Sequence, residues 1–411
     1  MHELTQPNIS WLRPDCERAI LYVYTVHMVR AMSHKNLSDV VQQPILVLKG
    51  RGATSNVQGR FEVETRERSF DGWNFNEDTI SRIETEVVSE TAKSILSRNS
   101  SPDIPFSVSL NPYRGCEHGC VYCFARPTHS YLGLSPGLDF ETRIYAKVNA
   151  ADLLRRELAK PSYVPENIAI GVNTDAYQPC ERERGITRGV LEVLSECNHP
   201  YGLITKSALI ERDIDVIAPM AEKGLACAAI TLTTLDTEIA RKLEPRAAAP
   251  ARRLRVIRTL SQAGIPVSVS VAPIIPFITD PEIERILEAA QDAGAIGAHY
   301  TVLRMPLEVN ALFQQWLHTY FPARAQRVMN RIRDLHGGKE YDSDFGKRMK
   351  GEGIWADLIR QRFTKTAKRL GLDGRMNHFN TTDSSKFRRP LVVPRKVVLQ
   401  NAGAVGQMDL F

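Results

Sequence analysis

The stretch SVSLNPYRGCEHGCVYC (107–123) decides how the chain is read. SVSL (107–110) alternates in the manner of a short strand and runs directly into a loop carrying Cys116, Cys120 and Cys123. The other four cysteines, Cys16, Cys180, Cys197 and Cys227, stand alone. In a chain of 411 residues such a cluster reads as a metal site in a reducing compartment rather than a disulfide framework. Three thiolates at spacings of four and three can reach three corners of one iron–sulfur cluster, leaving one iron open to a substrate or cofactor. The alternative is zinc held by three cysteines and either His118 or His129. Zinc sites usually pair two C-x2-C knuckles, and no second knuckle occurs in this sequence.

Outward from the loop, short apolar runs of buried-strand type follow: IAIGVNT (168–174), GLIT (202–205), ACAAITLT (226–233), VSVSVAPII (267–275) and AHYTVLR (298–304). Helical patterns separate them, among them AADLLRRELAK (150–160), ITRGVLEVLSEC (186–197), ARRLRVIRTLSQAG (251–264) and PEIERILEAAQDAG (281–294). Strands alternating with helices predict an α/β fold of parallel β/α units. Periodicity alone does not separate a doubly wound sheet from a full or partial barrel. In either, loops at the carboxyl ends of the strands carry the chemistry. The cysteines, Asn173-Thr174-Asp175, Lys206, Thr231, Thr233 and Pro273 all sit at such ends. The expected organisation is an irregular extension over 1–100 (including GRGATSNVQGRFE, 50–62), a core over 101–305, a basic helical region over 306–375 and a mobile tail over 376–411.

Composition narrows the class. With 43% hydrophobic residues, 53 Lys+Arg and 47 Asp+Glu, the chain is neither disordered nor collagenous. The apolar segment Ala19–Met32 is too short to span a bilayer, contains His27 and Arg30, and lacks a signal-peptide cleavage site. It is either an amphipathic segment or upstream of a true start at Met28 or Met32, so that residues 1–31 fall outside the native protein. The expectation is a cytoplasmic protein with no membrane partner. The net charge of +6 is unevenly spread. Residues 321–400 hold 19 Lys+Arg against 8 Asp+Glu, with Phe345, Trp355, Phe363 and Phe387 interleaved. Such asymmetry points to a polyanion, nucleic acid being the usual one, or to a solvated basic surface. No Walker loop, G-x-G-x-x-G fingerprint or hydrolase elbow supports an ATPase, dehydrogenase or esterase.

C-x3-C-x-aromatic-C after the first strand of a β/α series resembles the signature of the radical S-adenosylmethionine (SAM) enzymes. NPYRGCEHGCVYC (111–123), NTDAYQP (173–179), ITKSALIERDIDVI (204–217), TLTTLDTEIARKLEPRAAAPARRL (231–254), GIPVSVSVAPIIP (264–276), LRMPLEV (303–309) and GRGATSN-x2-GRFE (50–62) together resemble its spore photoproduct lyase-like branch, over roughly residues 45–375. The resemblance implies a partial (β/α)6 TIM-like barrel. It also implies a 4Fe-4S cluster on Cys116, Cys120 and Cys123, and SAM cleaved reductively to a 5′-deoxyadenosyl radical that takes a hydrogen atom from the substrate. By position it assigns Tyr122 to pack near the adenine and Thr174 and Asp175 to the SAM amine. Lys206, Ser207, Thr231 and Thr233 fall to its carboxylate and ribose, Glu244 and Arg246 to a polar clamp, and Ile274 and Ile275 to the adenine. A flavodoxin or ferredoxin is the implied reductant.

Three departures stand out. Phe124 replaces a Tyr, Phe277 stands where Gly is more usual, and the second strand ends without the hydrogen-donor thiol of the spore photoproduct lyases. Cys180, a few residues on, is a weak candidate for that role. The resemblance supports radical chemistry more strongly than thymine-dimer repair. DNA repair or modification is the leading expectation, RNA modification the second, and a non-catalytic iron–sulfur or zinc scaffold the third. The final residues, Gln407-Met408-Asp409-Leu410-Phe411, resemble the bacterial sliding-clamp-binding peptide, in which Gln contacts the rim and the hydrophobic residues Met408, Leu410 and Phe411 supply the apolar contacts. A clamp partner favours DNA over RNA.

Overall fold

Why the alternating pattern makes a barrel is visible in the strand order of the computed structural model. It describes residues 48–62, 83–373 and 384–390, all within one unit, Leu46–Phe411. In chain order the strands are β1 (Glu86–Glu90), β2 (Leu96–Arg98), β3 (Val108–Leu110), β4 (Tyr113–Arg114), β5 (Arg143–Lys147), β6 (Ile168–Ile170), β7 (Tyr201–Thr205), β8 (Ala226–Thr231), β9 (Val267–Ile274) and β10 (Gly297–Val302). The main sheet runs β10-β9-β8-β7-β6-β3-β2. All pairs are parallel except β2 with β3. The six parallel strands are therefore neighbours in the order in which they occur. A doubly wound sheet needs a reversal of that order, and there is none. Each right-handed crossover advances the same way, so the helices collect on one face and the sheet curls into a partial (β/α)6 barrel.

The pleat sorts residues between the two faces. Val108, Leu110, Ile168, Ile170, Leu203, Val267, Val269 and Val271 point outward into one apolar core with Leu154, Leu191, Leu194, Ile217, Val256, Ile257, Ile286 and Leu287 from the surrounding helices. Of the alternate positions, which face the concave side, Ser109, Ala169, Gly202, Ala229, Ser270 and Thr301 are small, while Ile204 and His299 are larger.

Among the described residues the sheet ends at β10 and β2, and the segment before the last long helix spans the opening. Met349 O accepts from Val302 N at 3.0 Å, and Lys350 Nζ donates to Tyr300 O at 2.6 Å. One residue earlier, Arg348 makes a forked pair with Asp103, in the β2–β3 connection, at 2.7 and 2.6 Å. The seam is thus held by one backbone bond and the side chains of Lys350 and Arg348.

The basic helical region packs in two places. Helices Glu308–Tyr320 and Pro322–Leu335 form a second apolar cluster with Cys120, Val121, Tyr122 and Ile275. Helix Gly353–Arg369 covers β10, where Phe363 meets Tyr300 with ring centroids 4.6 Å apart. Part of the expected tail is anchored: Phe387 lies against His199 and Tyr163, with centroids 5.3 and 5.8 Å away. Residues 19–32 and 407–411 lie outside the described residues, within which no helix is long and apolar enough to cross a membrane.

Because Arg348 and Asp103 are largely buried and their fork is charge-assisted, Arg348→Ala should lower stability by about 1–3 kcal/mol in urea unfolding. The double variant Arg348→Ala/Asp103→Ala should recover part of that loss.

Candidate active site

The cysteine loop follows β4, which pairs antiparallel with β5 in a small separate sheet of order β1-β5-β4. Its path needs two glycines. Gly115 has φ +76°, and a Cβ there would meet His129 Cε1 and Phe140 O at 2.9 Å. Gly119 has φ +65°, and a Cβ would sit 2.7 Å from Glu141 Oε2. Behind the loop lies the GRGATSN segment, so close that a Cβ on Gly52 would fall 1.7 Å from Gly119 O.

A fully buried ion pair fixes this packing. Glu141 Oε1 accepts from Arg126 Nη2 at 2.5 Å and from Ala53 N at 2.8 Å, while Oε2 accepts from Gly52 N at 3.0 Å. Arg126 also donates to Cys120 O (2.9 Å), Pro136 O (3.1 Å) and Gly137 O (2.9 Å). Gln178 grips the loop from the other side, accepting from Glu117 N at 2.9 Å and donating to Gly115 O at 3.2 Å. Sequence reasoning missed Arg126 and Glu141, and quoted Gln178 only inside a motif. No spacing rule marks a buried charge as the brace of a neighbouring loop.

Cys116 and Cys120 are buried and Cys123 is half-buried. Burial pushes the Cys116 thiol well up, with the Asp175 charge and the other two sulfurs adding to it. Burial likewise raises Cys120 to about 12, against the pull of Lys206. Sulfurs in such a place become thiolates only when a metal takes the charge. Among the described residues no group of three or more His, Cys, Asp or Glu is placed to hold a metal ion. The two histidines of the zinc alternative each lie against another group, although neither Nδ1 has a hydrogen-bond partner. His118 Nδ1 lies 3.3 Å from Asp175 Oδ2. His129 Nε2 lies 3.0 Å from Arg143 O, and burial lowers its pKa to about 4. Three soft donors without a fourth fit an iron–sulfur cluster better than tetrahedral zinc.

The predicted SAM contacts fall into distinct settings. Thr174 donates to Tyr113 O at 3.0 Å. Asp175 is saturated by protein: Oδ1 accepts from Thr205 Oγ1 (2.7 Å) and Tyr177 N (2.9 Å), and Oδ2 from Lys206 N (2.8 Å). Burial opposes its ionisation, but the His118 charge and these hydrogen bonds outweigh that and hold the carboxyl below the usual range. Asp175 therefore ties the cysteine loop to the ends of β6 and β7. Ser207 accepts from Leu209 N at 3.1 Å, capping a short helix. Thr231 offers its carbonyl to Arg253 Nη1 at 3.0 Å. Ile274 and Ile275 are fully buried, and Ile275 N donates to Thr279 Oγ1 at 2.8 Å to close the turn after β9.

Tyr122, Thr233 and Glu244 come together beside Cys120. The Tyr122 hydroxyl donates to Glu244 Oε1, which also accepts from Thr233 Oγ1 at 2.8 Å. Glu244 pairs with Arg253, a buried residue the sequence did not single out. Burial works against the Glu244 charge, yet Arg253 and Lys206 keep its pKa below the ordinary value. Arg246, expected to clamp with Glu244, pairs instead with Glu117 at 3.0 Å. Helix Thr237–Leu243 ends just before Glu244, and the turn that follows sends the two side chains apart. Cys180 sits next to Glu117, which accepts from its amide at 2.7 Å, and burial raises its thiol pKa first, the Glu117 charge second.

Lys206 is the group left over. Its ammonium lies 5.9 Å from the Tyr122 ring centroid, and among the described residues it has no hydrogen-bond partner. Burial disfavours its charge, but Cys120 and Glu244 raise its pKa above the usual lysine value.

Residues 110–290 match the profile of the radical SAM superfamily. An uncharacterized protein of Mycobacterium tuberculosis H37Rv is 36% identical over 235 residues, spanning 57% of this chain and 68% of the relative. The chain belongs to the radical SAM superfamily. A second uncharacterized relative, from Methanocaldococcus jannaschii, is 25% identical over 60% of this chain and 88% of its own. Among solved structures, spore photoproduct lyase complexed with dinucleoside spore photoproduct aligns over 69% of this chain and 79% of that chain, at 12% identity and a TM-score of 0.49.

Membership makes this chain a radical SAM enzyme and implies a 4Fe-4S cluster and SAM, which the donor chemistry of the loop fits. If each loop thiolate anchors one iron, Cys116→Ala, Cys120→Ala and Cys123→Ala should each abolish the iron and sulfide content of the anaerobically reconstituted protein. Cys16→Ala, Cys197→Ala and Cys227→Ala should leave it unchanged. A Cys120→Ala protein with full cluster absorbance would contradict the assignment.

Proposed function

We propose that this radical SAM enzyme repairs or modifies DNA. The observation that carries the proposal is the excess of eleven positive charges over residues 321–400, whose first helix packs on the apolar cluster shared with Cys120 and Tyr122. A basic surface that abuts the reactive loop suits a polyanionic substrate better than a small neutral one. When bound, the cluster and SAM supply a carbon radical able to abstract a hydrogen atom. The chain's own part is placement and exclusion of water. Lys206, charged and unpaired beside Cys120, is suited to the SAM carboxylate. Tyr122, locked by Glu244 and Thr233, offers its ring to the adenine. Asp175 acts one step back, orienting the loop and the Lys206 backbone. A nucleotide in a duplex would have to be drawn out of its stack to bring its reacting atom to the radical.

Two measurements test this. Reconstituted protein with dithionite and SAM should release 5′-deoxyadenosine, faster with damaged or single-stranded DNA than without; no stimulation by any DNA would refute the substrate. Lys206→Met should weaken SAM binding about thirtyfold, or about 2 kcal/mol, with cluster content unchanged.

The terminal residues Gln407, Met408, Leu410 and Phe411 are proposed to bind a bacterial sliding clamp, which would bring the enzyme to replicating or repaired DNA. Titration of the intact chain against the clamp should give binding that Leu410→Ala/Phe411→Ala abolishes. Equal binding by both forms, or none by the intact chain, would contradict the proposal and return RNA to equal standing as the substrate.

A further inference from the structure

Helix Pro322–Leu335 buries Ala325, Val328, Met329 and Ile332 in the cluster shared with Tyr122. Beside that stripe, at spacings of three and four, run Arg324, Arg327 and Arg331 along one edge. All three turn to the loop after β9. The Arg327 guanidinium carbon lies 4.0 Å from the Phe277 ring centroid. Arg331 lies 3.9 Å from the Trp355 centroid and 5.8 Å from that of Phe277. Arg324 Nη1 donates to Phe277 O at 3.4 Å. The two rings meet edge to face, with centroids 6.2 Å apart.

The counter-charges are few. Arg331 pairs with Asp334 at 2.8 Å, and Asp280 accepts the Phe277 amide at 2.5 Å. Among the described residues no carboxylate pairs with Arg324 or Arg327, both exposed.

Phe277 occupies this place at a conformational cost. Its φ is +62°, in the left-handed region that a bulky side chain rarely adopts and glycine adopts freely. A ring kept where glycine would sit more easily points to a task for the ring. The other departure from the family loop has the same outcome. Phe124, directly after Cys123 and 41% exposed, lies under Arg304, whose guanidinium carbon is 4.9 Å from its centroid. Both substituted phenylalanines thus become beds for arginines at the end of the barrel that carries the cysteine loop.

A guanidinium laid flat on a ring has its orientation set in advance. Its N–H edge is presented in a plane that matches phosphate oxygens, and its outer face is free to stack on a base. Sequence-tolerant binding of single strands relies on this combination of stacking and fixed positive charge. We propose that Arg327 and Arg331, bedded on Phe277 and Trp355, together with Arg324 on the Phe277 carbonyl, grip a single strand of DNA at the rim of the active face. Arg304 on Phe124 continues the surface toward the cysteine loop. This assignment rests on the reading of DNA as the substrate.

The test is fluorescence anisotropy of a labelled single strand and its duplex with the full-length, cluster-loaded protein over a range of salt. The triple variant Arg324→Gln/Arg327→Gln/Arg331→Gln should bind the single strand at least about tenfold more weakly, and its log–log salt slope should fall by about 2, from three lost phosphate contacts. Phe277→Gly, which fits the backbone and keeps every charge, should weaken binding several-fold at a temperature where circular dichroism shows the variant still folded. A control triple at exposed arginines elsewhere, Arg156→Gln/Arg255→Gln/Arg258→Gln, should bind like wild type. Wild-type affinity and slope in the Arg324/Arg327/Arg331 variant would overturn the surface while leaving the DNA reading intact. Duplex bound as well as the single strand, with the same loss, would overturn the single-strand assignment. A wild-type protein that binds no DNA at low salt would overturn both.

Discussion

The site depends on one buried ion pair. Arg126 and Glu141 are both inaccessible to solvent, and between them they satisfy two amides of the GRGATSN segment and three carbonyls of the cysteine region. A tight loop that carries three cysteines cannot also satisfy its own backbone, so the hydrogen bonds must come from behind. A charged pair can do this in the interior because every remaining donor and acceptor finds a partner. Removing either member would leave an uncompensated charge beneath Cys120.

From that brace the architecture extends in two directions. Asp175 and Gln178 fasten the loop to the end of β6, and Asp175 also fastens β6 to β7. On the far side, Tyr122 joins Thr233, Glu244 and Arg253 in a buried network that crosses to β8 and the helix Pro250–Gln262. The two ties hold the strand ends at fixed positions around Cys120. Lys206, standing between them, keeps its charge without a partner. A site that must accept an anionic group benefits from such a cation held in place before the ligand arrives.

Much of this was legible in the sequence because short apolar runs alternating with helices admit few topologies, and the cysteine spacing is specific. Periodicity left the choice between barrel and doubly wound sheet open, since the two differ only in which strands pair, and the family resemblance decided it. Strand-end addresses pointed to Thr233 and Lys206, and the resemblance to Glu244, all of which the fold brings near Tyr122. Glu244 and Arg246, two residues apart, looked like a pair, whereas each closes on a residue distant in sequence, Arg253 and Glu117 respectively. Ser207, placed by the resemblance beside SAM, also caps a short helix, which its spacing did not announce. Arg126 and Glu141 gave no signal at all, because their roles lie in burial and in long-range contacts that no local pattern encodes.

The central claim is that three thiolates of one loop hold a cluster with one iron left for SAM. Electron paramagnetic resonance of the reduced, reconstituted protein, recorded with and without SAM, tests it most directly. The account predicts a 4Fe-4S signal whose g values shift when SAM is added. A cluster signal indifferent to SAM, or zinc in place of iron, would contradict it.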